Sequence, residues 1–263
     1  MSFTSRSVTR NRRAICAAAA VIVALSAGTE SQAAQKPPFA GTVFLDGDII
    51  RSSDPTTFIR VTYAGRGQRR MYDRRVDRIV TVKAFVFTGF FRDGPRVELR
   101  VNPEFRYRDI ATHTAKKYAR IMGQLPRVLR NNLDTVSIHG GRADFGGGSR
   151  DVVIHTGRGA EYERTGVVEE TLAHEAAHTA LDGRHARATG WRAAQFLDPT
   201  FISTYARSRP VREDIAESFL PYLAVRYRRT RIDPLVARKI VTAIPARMTY
   251  FNRQHFDLRP FAP

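Results

Sequence analysis

Thr171-Leu172-Ala173-His174-Glu175-Ala176-Ala177-His178-Thr179-Ala180-Leu181-Asp182-Gly183 constrains this chain more than any other stretch. It contains His-Glu-x-x-His in a setting that can hold a helix. Val167, Val168, Leu172 and Leu181 supply apolar anchors, the alanines propagate helix well, and Gly183 is a good residue to stop it. At roughly 100° per residue, His174 and His178 project about 40° apart, and Glu175 lies about 60° from His178. Two imidazoles one turn apart can grip a single zinc ion, and the adjacent glutamate is placed to take a proton from a water on that ion. The bland alternative is a helix with two incidental histidines.

A hydrolytic zinc site takes three protein ligands and keeps a fourth position for water, so a third donor must come from elsewhere. His185 follows closely, but it and Gly183 both miss the spacing of the metzincin pattern. Tyr205 to Phe219 offers more. Pro210 breaks the preceding segment, and a helix is expected from near Arg212, burying Ile215, Phe219 and Leu223. Glu213 and Glu217 stand one turn apart on it. One carboxylate can complete the metal shell while the other hydrogen-bonds a ligand imidazole. The competing explanation is that Glu213, Asp214 and Glu217 are only acids favoured by a helix N-terminus. On the residues alone, Glu213, Glu217 and His185 all stay open as the third ligand.

Together, His174-Glu175-Ala176-Ala177-His178-Thr179, Trp191, Phe201-Ile202-Ser203-Thr204-Tyr205-Ala206 and Glu213-Asp214-Ile215-Ala216-Glu217-Ser218-Phe219 resemble the gluzincin branch of zinc metallopeptidases. The pattern is most similar to the lethal-factor-like and Pro-Pro-endopeptidase-like group, over about residues 110–225. The resemblance implies His174, His178 and Glu213 as zinc ligands and Glu175 as general base. It further implies Tyr205 as the hydroxyl that stabilises the oxyanion and Glu217 as the carboxylate behind a ligand. The spacing from Tyr205 to Glu213 is one residue longer than in that group. Tyr72-Asp73-Arg74-Arg75-Val76, Val101-Asn102-Pro103-Glu104-Phe105 and Ile154-His155-Thr156 also resemble stretches of a family of secreted bacterial proteins, which brings no substrate with it.

Export is expected from the N-terminus. Arg6, Arg10, Arg12 and Arg13 precede an apolar run from Ala14 to Ala27, and Ser31-Gln32-Ala33 offers small residues for cleavage. The run is too short for a confident membrane span, so no span is expected after removal of residues 1–33. The expected location is the periplasm or the medium. The single cysteine, Cys16, lies in this segment, which removes disulfides, thiolate ligands and a cysteine nucleophile from the mature chain. Removing four Arg and one Glu lowers the net charge of +18 by three. So basic a chain suggests an anionic envelope polymer as a partner beside a protein or peptide substrate, although a basic proteome background explains the charge equally well. Tyr227-Arg228-Arg229-Thr230-Arg231 supports a rival reading, a basic envelope- or nucleic-acid-binding protein with a structural or vestigial zinc site. Nucleic acid is the less favoured partner. A zinc amidase acting on cell-wall peptides is a related alternative.

The expected fold class is α+β, with a β-rich region over 34–105 followed by a zincin-like catalytic domain over 106–263. Strands are expected at Thr42–Leu45, Phe58–Tyr63, Ile79–Phe91 and Val97–Val101, forming a small antiparallel sheet or sandwich. A helix through Ala111, Ala115, Tyr118, Ile121 and Met122 follows, then a second helix after Pro126 and strands at Thr135–His139 and Asp151–His155. The latter strand, leaving a glycine loop, is expected to be an edge open to an extended peptide. The zinc helix is expected to begin near Thr165. His113, His139, His155 and His255 have no metal-binding spacing.

Overall fold

The computed structural model describes residues 35–42 and 47–262. The export segment 1–33 with Cys16, and all of the Thr42–Leu45 strand except Thr42, lie outside the described residues.

Strands β1 (Phe58–Asp73) and β2 (Arg78–Phe91) form a long antiparallel hairpin with a register from Phe58↔Phe91 to Asp73↔Arg78. The second half of β1, from Ala64 to Arg70, is poor in strand-forming residues, so the sequence pattern ends at Tyr63. Pairing with the Val- and Phe-rich β2 carries the strand on to Asp73. A register shift between Tyr63 and Gly65 is absorbed by Gly65 at φ 103°.

β3 (Val97–Val101) pairs antiparallel with β2, and β4 (Thr135–His139) runs parallel beside β3. Between them α1 (Arg108–Met122) and α2 (Arg127–Arg130) provide the crossover that a parallel pair requires. β6 (Asp151–His155) is parallel to β4, and β5 (Gly146–Gly148) closes the sheet antiparallel to β6. The result is one six-stranded mixed sheet, β1-β2-β3-β4-β6-β5, in a mixed α/β fold. The front strands are thus not a separate small sheet or sandwich: β3 lends its free edge to β4. Asp151–His155 is an interior strand, because the glycine loop itself pairs as β5 and takes the edge position.

Helices follow: α3 (Thr156–Arg164), α4 (Val168–His185), α5 (Thr189–Leu197), α6 (Thr204–Ser208), α7 (Asp214–Tyr227), α8 (Pro234–Ala243) and α9 (Pro245–Arg253). α3 occupies residues that carry no clear helical pattern, and a turn with Gly166 at φ 67° separates it from α4. α4 therefore starts after Thr165, and it runs through Gly183 instead of stopping there. Leu172, Ala176 and Leu181 of α4 and Ile215, Phe219 and Leu223 of α7 are buried in one core that also holds Trp191 and Phe251. Within it, fully buried Arg247 bridges Asp198 and Asp214 at 2.8 Å each. No helix among the described residues is long and apolar enough to cross a membrane.

The hairpin overreaches β3, and its end is fastened across the C-terminal ends of β4 and β6. His139 and His155, in register on those parallel strands, stack with ring centroids 5.2 Å apart. Asp73 meets His155 Nε2 at 3.3 Å and His139 Nδ1 at 3.7 Å. Arg75 ties Asp73 to Glu104, and Arg74 Nη1 donates to the Phe145 carbonyl at 2.8 Å. Burial pushes His139 down to about 4, which keeps it neutral beneath the turn. These two histidines, far apart in sequence, form a fastening that only strand register brings together.

Candidate metal centre

α4 buries its alanine and leucine face and leaves His174, Glu175 and His178 half-buried along a cleft. Glu213 enters from the residue before α7. Its backbone N–H donates to the Arg209 carbonyl at 2.8 Å, and its own carbonyl accepts the Glu217 N–H at 2.9 Å, so it stands at the helix start and not inside the helix. The three side chains converge. His178 Nε2 is 3.1 Å from Glu213 Oε2, His174 Nε2 is 3.8 Å from the same oxygen, and the two Nε2 atoms are 3.2 Å apart. A tetrahedral ion with bonds of about 2.0–2.1 Å holds its donors roughly 3.3 Å apart, so this triangle is of the right size for one ion. Among the described residues, His174, His178 and Glu213 are the one group of three such donors close enough to hold a metal ion.

Both imidazoles present the same polarity. Each turns Nε2 to the centre and Nδ1 to a carboxylate: His178 Nδ1 to Asp182 Oδ2 at 2.7 Å, and His174 Nδ1 to Glu217 Oε1 at 3.6 Å. The other Glu217 oxygen accepts the Ser203 hydroxyl at 2.6 Å, while Ser203 Oγ caps α6 by accepting the Ala206 N–H at 2.9 Å. Without an ion, burial opposes a charge on His178, but Asp182 and Glu213 outweigh it and push the imidazole up to about 10. Burial likewise works against an ionised Glu213, and the two histidines overcome it and hold this carboxyl well below the usual range. The site thus carries the anionic oxygen and the basic nitrogens that a divalent cation needs.

Tyr205, on α6, lines the same cleft. Burial first, and then the Glu213 carboxylate, push its phenol upward, so the hydroxyl stays protonated beside the centre. Glu175 lines the cleft between His174 and His178. Gly147 of β5 lies directly on the α4 backbone: a Cβ there would stand 1.9 Å from the Glu175 carbonyl oxygen. The Gly148 N–H donates to Thr179 Oγ1 at 3.1 Å, which fixes the sheet edge alongside the helix. The cleft has a volume of about 990 Å³ and its second wall is the hairpin end, with Arg70, Tyr72, Arg74 and Ile79.

His185 is not part of the group. Its Nδ1 meets the Tyr250 hydroxyl at 2.7 Å and its ring packs on Tyr250 and Phe256. Glu217 lies behind His174, not among the three converging donors. Three contributors have no role assigned from the sequence alone, although Asp182 is readable, since it sits one turn after His178. Ser203 and Tyr162, whose phenol burial, Asp144 and Glu175 push up to about 12, carry no sequence signal for the site. The basic Tyr227–Arg231 stretch is engaged within the fold: Arg228 reaches the Phe261 carbonyl, and Arg231 pairs with Asp54 at 2.6 Å. Compared with protein-family models, curated proteins and solved structures, the chain matches none.

Proposed function

We propose that the protein is an exported zinc-dependent peptidase of gluzincin type, with His174, His178 and Glu213 as ligands and Glu175 as general base. The observation that carries this reading is the convergence of two Nε2 atoms and one carboxylate oxygen, at 3.1–3.8 Å, beside a glutamate in an open cleft. The donor set, two imidazoles and one carboxylate, suits zinc in a site that keeps a position for water, and it needs no cysteine. Zinc held there supplies Lewis acidity and lowers the pKa of a water.

The protein groups do the rest. Glu175 accepts the proton of the attacking water and returns it to the leaving amine. Tyr205 donates its hydroxyl hydrogen bond to the oxyanion that develops on the scissile carbonyl. Asp182 and Glu217 hold the two imidazoles by Nδ1, which sets their orientation and basicity. β5 is the terminal strand of the sheet and lines the cleft, where an extended peptide can add as a further strand. The rival binding-protein reading has less support, because Arg228 and Arg231 are held by Phe261 and Asp54.

The test is a mass-spectrometric peptide-library digest with the zinc-loaded wild type beside zinc-loaded Glu175→Gln. Cleavage by the wild type should fall by about 10²–10⁴-fold in the variant at equal zinc content. Undiminished cleavage by Glu175→Gln would remove Glu175 from the role of base.

A further inference from the structure

The walls of the cleft carry four arginines that hydrolysis itself does not need. Arg70 and Arg74 line it from the hairpin, and Arg209 and Arg212 line it from the turn between α6 and α7. The two walls approach at Tyr72. Its hydroxyl is hydrogen-bonded to Asp77, which pushes the phenol upward, and Arg74 and Arg212 both pull against that shift. Guanidinium groups from separate elements therefore bear on one place.

Most of these guanidiniums lack a direct carboxylate partner. Arg74 is anchored through Nη1 to the Phe145 carbonyl, a neutral partner. Arg209 lies over the Tyr205 ring, 5.5 Å from its centroid. Among the described residues, neither these two nor Arg70 has a carboxylate partner. Arg212 touches Glu213 Oε1 at 3.3 Å, but its side chain remains 74% exposed. Of the other acids that line the cleft, Asp144 pairs with Arg158 at 3.0 Å, while Asp77 and Asp151 accept from the neutral hydroxyls of Tyr72 and Thr135. Glu213 belongs to the metal group, which leaves Glu175 for the reaction.

We infer that the cleft selects acidic peptides, whose carboxylates are received by Arg70 and Arg74 on the hairpin wall and by Arg209 and Arg212 on the other. The inference rests on the peptidase reading of the same site. Its chemistry favours carboxylates on an extended chain over phosphates on a nucleic acid. Guanidinium forks match carboxylate and phosphate alike, two oxygens at a time, so the backbone must decide between them. β5, the terminal strand of the sheet along the cleft, can pair with a peptide backbone, which a nucleic acid lacks. Charges lining a cleft also gather oppositely charged substrate, an effect that salt weakens.

The experiment measures binding without turnover. Two fluorescent 12-residue peptides, identical except for four Glu in one and four Lys in the other, are titrated into zinc-loaded Glu175→Gln protein. The same titration is made with Arg74→Glu and Arg212→Glu added, after zinc content and the unfolding temperature are matched. The expected result is at least tenfold tighter binding of the Glu peptide, with the preference lost or inverted in the charge-reversed protein. Three results overturn the inference: binding of the two peptides within twofold, a Glu preference untouched by the charge reversal, or displacement of the Glu peptide by an oligonucleotide of equal charge at equal concentration. Failure of the peptidase reading is seen separately. A wild type that cleaves no peptide contradicts that reading while leaving the binding result intact, and a cleaving wild type that binds both peptides alike contradicts only the selectivity.

Discussion

His178 is held from both sides, by Asp182 at Nδ1 and by the Glu213 oxygen at Nε2, and that double hold is what fixes its ring. Asp182 orients the imidazole and raises its basicity through the far nitrogen, so it would act on a bound metal without touching it. Asp182→Ala should therefore weaken zinc affinity by about 10–100-fold while the fold persists, as read by competition with a zinc chelator. Unchanged affinity would show that Asp182 only fills space. A second buried carboxylate does a different task. Glu170 Oε1 accepts the Ile50 N–H at 2.9 Å and pins residues 49–50 to α4, and burial pushes its carboxyl up to about 7. A carboxyl raised in the folded state stabilises the protein at low pH, and that contribution is lost as pH rises from its unfolded value through about 7. Glu170→Gln keeps an acceptor for Ile50 and has no charge to bury. Its unfolding temperature relative to wild type should rise between pH 5 and pH 8, by the equivalent of up to ~3 kcal/mol. A difference that stays flat over that range would contradict this account of Glu170.

Two glycines show what the elements demand. Gly147 brings β5 onto α4, with no room for a Cβ against the Glu175 carbonyl, whereas Gly183 lies in α4 with open space around it. Gly147→Ala should destabilise the protein by about 1–3 kcal/mol or more and displace the sheet edge. Gly183→Ala should stabilise it by about 0.5–1 kcal/mol. Thermal or urea unfolding of the pair measures both, and a harmless Gly147→Ala would mean that the edge is not held at the helix. The contrast also marks how far the elements are legible in the sequence. The α4 and α7 helices are readable because apolar residues recur at helical spacing around the acids and histidines. β2, β3, β4 and β6 are readable from their Val, Ile and Phe content. The second half of β1 and the triple-glycine β5 are not, because their strand character comes from a partner strand and not from their own residues. α3 has two glycines and begins directly after β6 without a side-chain cap, so nothing local announces it.

At the scale of the whole molecule, the site depends on groups that the sequence keeps far apart. The His-Glu-x-x-His helix and the Glu213 segment are readable as candidates, but the choice among Glu213, Glu217 and His185 is made by packing. α7 is set against α4 so that Glu213 reaches the two Nε2 atoms and Glu217 the far nitrogen of His174, while Tyr250 and Phe256 take His185 into a different cluster. The hairpin, fastened by Asp73 to His139 and His155, supplies the wall that turns a surface helix face into a cleft. The central claim is that one metal ion is held by His174, His178 and Glu213. Elemental analysis of purified wild type, Glu213→Ala and His185→Ala tests it most directly. The account predicts close to one zinc per chain in the wild type, retained in His185→Ala and lost in Glu213→Ala. Zinc kept by Glu213→Ala, or absent from all three proteins, would contradict it.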